Sequence, residues 1–150
     1  FRRRATNLWF LSINTNMALV KRKVSRLYTD LDLAFGKNFF SDDIDKKIDV
    51  NSVKQSIKIL LSTMPYERPF HPEIGSDIHK SLFEPMDAFT PGLIKKRIYN
   101  TIENFEPRVE LEDVVVTSNY DLQVYEVSIY FKIVGVPEPA ILTLTLSRLR

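Results

Sequence analysis

The sequence predicts an α+β fold in which helices pack on one face of a small antiparallel sheet of three to four strands. Apolar residues recur every three to four positions in residues 51–64 and again in 90–105, which is the spacing of amphipathic helices. After residue 109 they recur at every second position, which is typical of half-buried strands. With 150 residues, 44% of them hydrophobic, the chain is long enough for one domain with a buried core.

The first element of the predicted domain is a short strand or extended segment over residues 27–35. Apolar and polar residues alternate along this segment until Gly36 interrupts the pattern. Residues 41–49 are rich in aspartate and predict an acidic loop without regular structure.

The first helix starts near Asn51, with Asp49, Asn51 or Ser52 as its N-cap, and stops before Pro65. Residues 65–75 hold three prolines and a glycine, and therefore predict an irregular, restricted loop. The core-facing side chains expected from this helix are Val53, Ile57, Leu60, Leu61 and Met64.

Two further helices are predicted. A short one covers residues 77–83, with Ile78, Leu82 and Phe83 facing inward. In the longer one, Thr90 serves as a cap and Pro91 occupies the first turn, where its missing N–H costs little. Pro107 ends this helix, whose core-facing residues are expected to be Ile94, Ile98, Ile102 and Phe105.

The C-terminal third predicts three strands in series, joined as an antiparallel meander. The first two cover residues 109–117 and 122–134, residues 135–139 form a turn, and the last strand starts at Ala140. In the second strand, one face is expected to hold Tyr125, Val127, Ile129, Phe131 and Ile133.

The last predicted strand contains Leu142, Thr143, Leu144, Thr145 and Leu146. It has no internal charge and comes last in the sheet order, so its outer edge would expose unpaired backbone groups. Either a helix covers this edge or a strand of another chain completes it.

The charge is unevenly distributed. Residues 1–26 contain seven basic residues, among them Arg2, Arg3 and Arg4, and no acidic one, so the rest of the chain has an acidic excess. We therefore expect a basic arm, ordered by a partner, followed by a single domain over residues 27–150. The arm could bind nucleic acid, an anionic membrane surface or an acidic protein. The absence of a nucleic-acid-binding motif elsewhere argues against the first.

Composition also limits the chemistry. The chain has no cysteine, which excludes disulfides, thiolate metal sites and cysteine nucleophiles. His71 and His79 match no common metal-ligand spacing, so we expect no metal and no cofactor. Glu103, Glu106 and Glu110 could supply the two carboxylates of a glycosidase, although the end of a helix and the polar face of a strand explain them as well.

Three segments together resemble a known family. They are Arg68-Pro69-Phe70-His71-Pro72-Glu73-Ile74-Gly75-Ser76-Asp77-Ile78, an upstream Tyr28-Thr29-Asp30-Leu31-Asp32-Leu33-Ala34-Phe35, and Phe105-Glu106-Pro107-Arg108 at the end of the long helix. In this order they resemble the small baseplate wedge proteins of contractile-tailed phages, a family shared with type VI secretion baseplates. Such a protein is structural rather than enzymatic, although some members have been described as lysozyme-like.

The resemblance implies where this protein acts and what it binds. It implies a virion protein of the tail baseplate, made in the host cytoplasm, which contacts other wedge proteins and the tail sheath protein, and tube or hub proteins as well. It favours sheath initiation by strand pairing at Leu142 to Leu146. It also assigns contacts with wedge-core proteins to Glu106, Pro107 and Arg108. Glu106 and Arg108 would form either an ion pair with another chain or an intrachain pair that only stiffens the bend at Pro107. We further expect Arg68, the first residue of the segment from Arg68 to Ile78, to contact a partner protein. We expect no membrane partner.

Overall fold

A computed structural model describes residues 28–40 and 42–147 of the chain. The predicted basic arm, with Arg2, Arg3 and Arg4, lies outside the described residues. The elements, in chain order, are β1 (Thr29–Leu31), β2 (Lys46–Ile48), α1 (Val50–Ser62), α2 (Ile78–Ser81), α3 (Thr90–Phe105), β3 (Val109–Asn119), β4 (Val124–Ile133) and β5 (Val136–Ser147). In the described part of the chain, no helix is long and apolar enough to cross a membrane.

The predicted α+β class is confirmed, with the strands divided between two sheets. β3, β4 and β5 form an antiparallel meander in that order, and β1 pairs with β2 in a separate two-stranded sheet. The acidic segment 41–49 is therefore not entirely a loop, because Lys46 to Ile48 pair with β1. This strand has no apolar alternation of its own, and only its pairing with β1 defines it.

The core lies between the three-stranded sheet and the helices. The five β4 residues predicted to share a face are all buried, and α1, α2 and α3 contribute the side chains that pack against them. Ile94, Ile98 and Ile102 of α3 are fully buried, which confirms the three-to-four-residue period of that helix.

A β-bulge changes which β3 residues face the core. Leu111 lies opposite Phe131 and Asp113 lies opposite Tyr130, so Glu112 is an extra residue in the ladder. Before the bulge Leu111 is partly buried against the core, and after it Val114 is fully buried. The inward positions thus change from odd to even numbers.

Several local predictions are wrong. Phe83 and Met64 are 61% and 49% exposed, because α1 ends at Ser62 and α2 ends at Ser81, before either residue can face inward. The N-cap of α3 is Phe89 and not Thr90. The turn after β4 is shorter than predicted, since β5 already starts at Val136.

Gly75 holds the end of the proline-rich loop against the residues that follow α1. A Cβ atom at this position would lie 2.6 Å from the backbone nitrogen of Pro65 and 2.7 Å from the carbonyl carbon of Met64. The neighbouring hydrogen bond from the Ser76 N–H to the Thr63 carbonyl, at 2.8 Å, fixes the same contact. Only glycine fits here, since both nearby atoms belong to the backbone.

We predict that Gly75→Ala lowers the free energy of unfolding by about 1–3 kcal/mol, because the added methyl overpacks a backbone contact. Gly92→Ala is the matched control, since a Cβ at Gly92 meets nothing within 4 Å and alanine in α3 should stabilise by about 0.5–1 kcal/mol. Urea unfolding of both variants checks the prediction. Equal stability of Gly75→Ala and the wild type would contradict the close approach.

Candidate functional site

The chain turns sharply between α3 and β3, and the candidate site is built on this corner. The helix ends at Phe105, and the Glu106 N–H still donates to the Ile102 carbonyl at 2.9 Å. Pro107 has no N–H and cannot continue the helix. The Val109 N–H then donates to the Glu106 carbonyl at 3.2 Å, so β3 leaves the corner in a fixed direction.

Glu106 and Arg108 form a two-point ion pair across Pro107. Arg108 Nε donates to Glu106 Oε1 at 2.6 Å, and Arg108 Nη2 donates to Oε2 at 3.0 Å. Ser56 Oγ on α1 donates to the same Oε2 at 2.6 Å. Glu106 is only 4% exposed, so its charge is buried with three donors around it.

The electrostatics of Glu106 favour the ionised carboxylate. Burial alone raises the pKa of Glu106, but the hydrogen bonds from Arg108 and Ser56 and the charge of Arg108 outweigh burial, and the net pKa is lowered. The hydrogen bond to Glu106 likewise raises the pKa of Arg108, against the effect of its own partial burial. The pair therefore stays charged in the folded protein.

Arg108 extends this network to β1. Its Nη1 lies 3.4 Å from Asp30 Oδ2, and its guanidinium lies over the ring of Tyr28, 5.5 Å from the centroid. Ser52 on α1 donates to the same Asp30 carboxylate. The corner thus joins β1, α1 and the connection from α3 to β3, although these segments are far apart in the sequence.

The backbone of Arg108 also holds the far end of the large sheet. The Val134 N–H donates to the Arg108 carbonyl at 3.0 Å, and the Tyr28 hydroxyl donates to the Val134 carbonyl at 3.2 Å. Val134 follows β4 directly and precedes Gly135, whose φ of 87° permits the two-residue turn into β5. The start of β5 is therefore tied to the corner.

Glu106 and Arg108 contact each other within the chain, which is the second of the two arrangements, inter-chain or intrachain, considered from the sequence. Arg108 keeps 26% of its side chain exposed, and Pro107 is exposed beside it. Arg68, from the proline-rich loop, lines the same small pocket of about 140 Å³ as Ser56 and Glu106. Arg68 and Glu106, which were both chosen from the sequence, therefore line the same pocket.

The outer edge of β5 is the second feature of the candidate site. In the described part of the chain β5 pairs with β4 alone. Leu142, Leu144 and Leu146 face the helices and are only partly buried, while Thr143 and Thr145 are exposed on the other side. This apolar row is not fully covered.

The remaining candidates have ordinary structural partners or are exposed. His71 Nδ1 lies 3.1 Å from Glu73 Oε1, and His79 Nε2 lies 3.1 Å from the Ser62 carbonyl. Within residues 28–40 and 42–147, no group of three or more histidine, aspartate or glutamate side chains is placed to hold a metal ion. Glu103 and Glu110 are exposed.

Sequence reasoning missed the corner role of four residues: Tyr28, Asp30, Ser52 and Ser56. Their contacts span 22 to 106 residues of the chain: Ser52–Asp30, Ser56–Glu106, Asp30–Arg108 and Tyr28–Val134. Tyr28 and Asp30 belong to a segment that was singled out from the sequence as a strand and as one of the family-like segments, but without a contact to the corner.

We predict that Glu106→Gln lowers the free energy of unfolding at pH 7 by about 2–3 kcal/mol, because it leaves the partly buried Arg108 without its counter-charge. The folded-state pKa of Glu106 is lowered, so this stabilisation is present above the ordinary glutamate pKa of about 4.3 and is lost as the pH falls through the folded value. The gap between variant and wild type should therefore shrink below about pH 4.

Urea unfolding between pH 3 and pH 7 checks this prediction. Glu103→Gln is the matched control, because Glu103 is an exposed carboxylate on α3, and its substitution should change stability by less than about 0.5 kcal/mol. A difference between Glu106→Gln and the wild type that stays constant across the pH range would contradict the ionised pair.

Comparison with known proteins agrees with this architecture. A family profile described as "Baseplate wedge protein gp25" matches residues 49–138. The chain is 30% identical over 115 residues to the baseplate wedge protein gp25 of Enterobacteria phage T4, covering 77% of this chain and 86% of that protein.

Solved structures share the fold at lower identity. A Geobacter sulfurreducens protein, provisionally named a tail lysozyme, superposes with a TM-score of 0.60 and 24% identity over 65% of this chain and 89% of its own. A chain of the anti-feeding prophage baseplate superposes with a TM-score of 0.57 and 20% identity, over 81% of this chain and 87% of its own. A chain of the type VI secretion baseplate complex superposes with a TM-score of 0.56 and 17% identity, over 65% of this chain and 93% of its own.

The family profile covers more than half of the chain, and the phage T4 relative matches most of both sequences. The three segments that suggested the family fall on β1, on the proline-rich loop with α2, and on the corner that holds the Glu106–Arg108 pair. The chain belongs to the gp25 family of baseplate wedge proteins of contractile tails.

Proposed function

We propose that this protein is a structural, non-enzymatic subunit of the tail baseplate that joins wedge-core proteins and initiates sheath assembly by inter-chain strand pairing. The observation that carries the proposal is the open edge of β5, where a long strand with an apolar row pairs on one side only in the described part of the chain. An added strand would satisfy the free backbone groups of this edge, and main-chain hydrogen bonds would set its register.

The corner between α3 and β3 supports this role by orienting the surfaces that would contact partner proteins. Because the Glu106–Arg108 pair is already satisfied within the chain, its part in assembly is to hold Pro107 and the exposed portion of Arg108 in one geometry. We assign the wedge-core contacts to this exposed surface and to Arg68 beside it. The basic residues Arg2, Arg3 and Arg4 are proposed to extend along an acidic face of a neighbouring baseplate or tube protein.

The same geometry is poorly suited to a glycosidase. A general acid in sugar hydrolysis needs a carboxyl group whose pKa is raised, so that it carries a proton near neutral pH. The carboxylate of Glu106 is buried and accepts three hydrogen bonds, and its pKa is lowered. A structural role is therefore favoured over the lysozyme-like alternative, and we place the protein in the virion after synthesis in the host cytoplasm.

Edge substitution tests the proposal. Leu144→Lys puts a charge in the apolar row of β5, which opposes the addition of a further strand. Thr143→Lys is the matched control on the same strand, because Thr143 is exposed on the opposite face. We expect tails assembled with Leu144→Lys to lack sheath in negative-stain electron microscopy, and tails with Thr143→Lys to be sheathed.

The measurement requires that both purified variants unfold cooperatively, since only a folded subunit reports on assembly. Sheathed tails of normal length with a folded Leu144→Lys subunit would contradict strand pairing at this edge.

A further inference from the structure

A groove lies beside the edge of β5, where Leu142 meets the exposed side of α1 and the loop that follows β1. Its volume is about 440 Å³, and Leu33, Ile59 and Leu142 give it an apolar lining. Leu33 is 51% exposed, and Leu142 and Ile59 are partly buried. The hydrogen bond from Gln55 Nε2 to the Leu31 carbonyl, at 2.7 Å, ties the two walls together.

The charges around this groove are not balanced. Lys54 and Lys58 both line it from α1, and they lie on the same side of that helix because they are four residues apart. Within residues 28–40 and 42–147, neither lysine has an ion-pair partner closer than 4.0 Å. The carboxylate in the wall, Asp32, is already engaged by Lys47 at 3.0 Å and by the Ala34 N–H at 3.1 Å. In the part of the chain that the structure describes, the groove therefore offers two lysine charges without an ion-pair partner next to an apolar surface.

A strand added to β5 would place every second side chain on the helix side of the sheet, above this groove. Side chains in that row are spaced about 6.6–6.8 Å apart, and the rise along α1 from Lys54 to Lys58 is about 6 Å. Two carboxylates at alternate positions of the added strand match the spacing of the two lysines. Apolar side chains on either side of them would meet the lining at Leu33, Ile59 and Leu142.

We propose that this groove selects the strand that pairs with β5, and that it takes an extended segment of a partner protein with acidic and apolar side chains in its inward row. This inference rests on the proposed strand pairing and adds the chemistry of the partner. A basic segment, such as one with the composition of residues 1–26, is disfavoured by the same two lysines.

The test uses two capped eight-residue peptides as probes. Both carry threonine in one row, and in the other row one carries Val, Glu, Glu, Val and the second carries Val, Lys, Lys, Val. Amide hydrogen exchange of residues 136–147 in the intact protein detects pairing with β5, and titration gives the affinity. We expect the acidic peptide to protect these amides and to bind at least about tenfold more tightly than the basic one.

Substitution of the lysines provides the decisive comparison. In the double variant Lys54→Glu with Lys58→Glu, the preference should reverse, and in the neutral variant Lys54→Gln with Lys58→Gln it should disappear. The neutral variant keeps the test valid where the charge reversal disturbs α1. Lys96→Glu, an exposed position on α3, controls for overall charge and should leave the preference unchanged.

The outcomes separate the two proposals. Equal protection by both peptides would overturn selection by the groove while leaving strand pairing in place. A preference that persists in both lysine double variants would also overturn selection by Lys54 and Lys58. Absence of protection by either peptide would overturn this inference together with strand pairing at β5.

Discussion

The fold depends on one buried carboxylate. Glu106 follows the last residue of α3 and accepts hydrogen bonds from Ser56 on α1 and from Arg108, which precedes β3. Through Arg108 it reaches Asp30 on β1. A buried charge without these partners would be costly, so each partner constrains the position of the segment that carries it. The network therefore fixes the direction in which β3 leaves the helix, and the bond from Val134 to Arg108 carries this constraint to the turn before β5.

The position of the outer edge of β5 depends on that corner. β5 starts one turn after Val134, and its register with β4 shifts between Lys132 and Ile133, where Pro137 and Glu138 are left without a pairing partner. Proline at an edge strand discourages pairing locally because it cannot donate a hydrogen bond. The residues from Ala140 onward pair regularly, so the part of the edge that can accept another strand is the apolar row beside α1.

Periodic patterns in the sequence were enough to predict α1, α3, β4 and the meander, because each buries one face against a single core. β2 was missed, since three residues, two of them lysines, carry no periodic signal and are defined by their pairing with β1. The alternation of apolar and polar residues also does not predict the β-bulge at Glu112. Glu106 and Arg108 were selected from the sequence, but Ser56 and Asp30 were not, because only the folded chain brings them to the corner.

We propose that a second protein attaches at the outer edge of β5, on a sheet held by the Glu106 corner. The most direct measurement is a cryo-electron microscopy structure of the assembled baseplate at a resolution that separates strands. We predict that this structure will show a strand of another chain hydrogen-bonded to β5 along Leu142 to Leu146, with acidic side chains near Lys54 and Lys58. An edge that faces solvent, or one covered by a helix, in baseplates that carry sheath would contradict it.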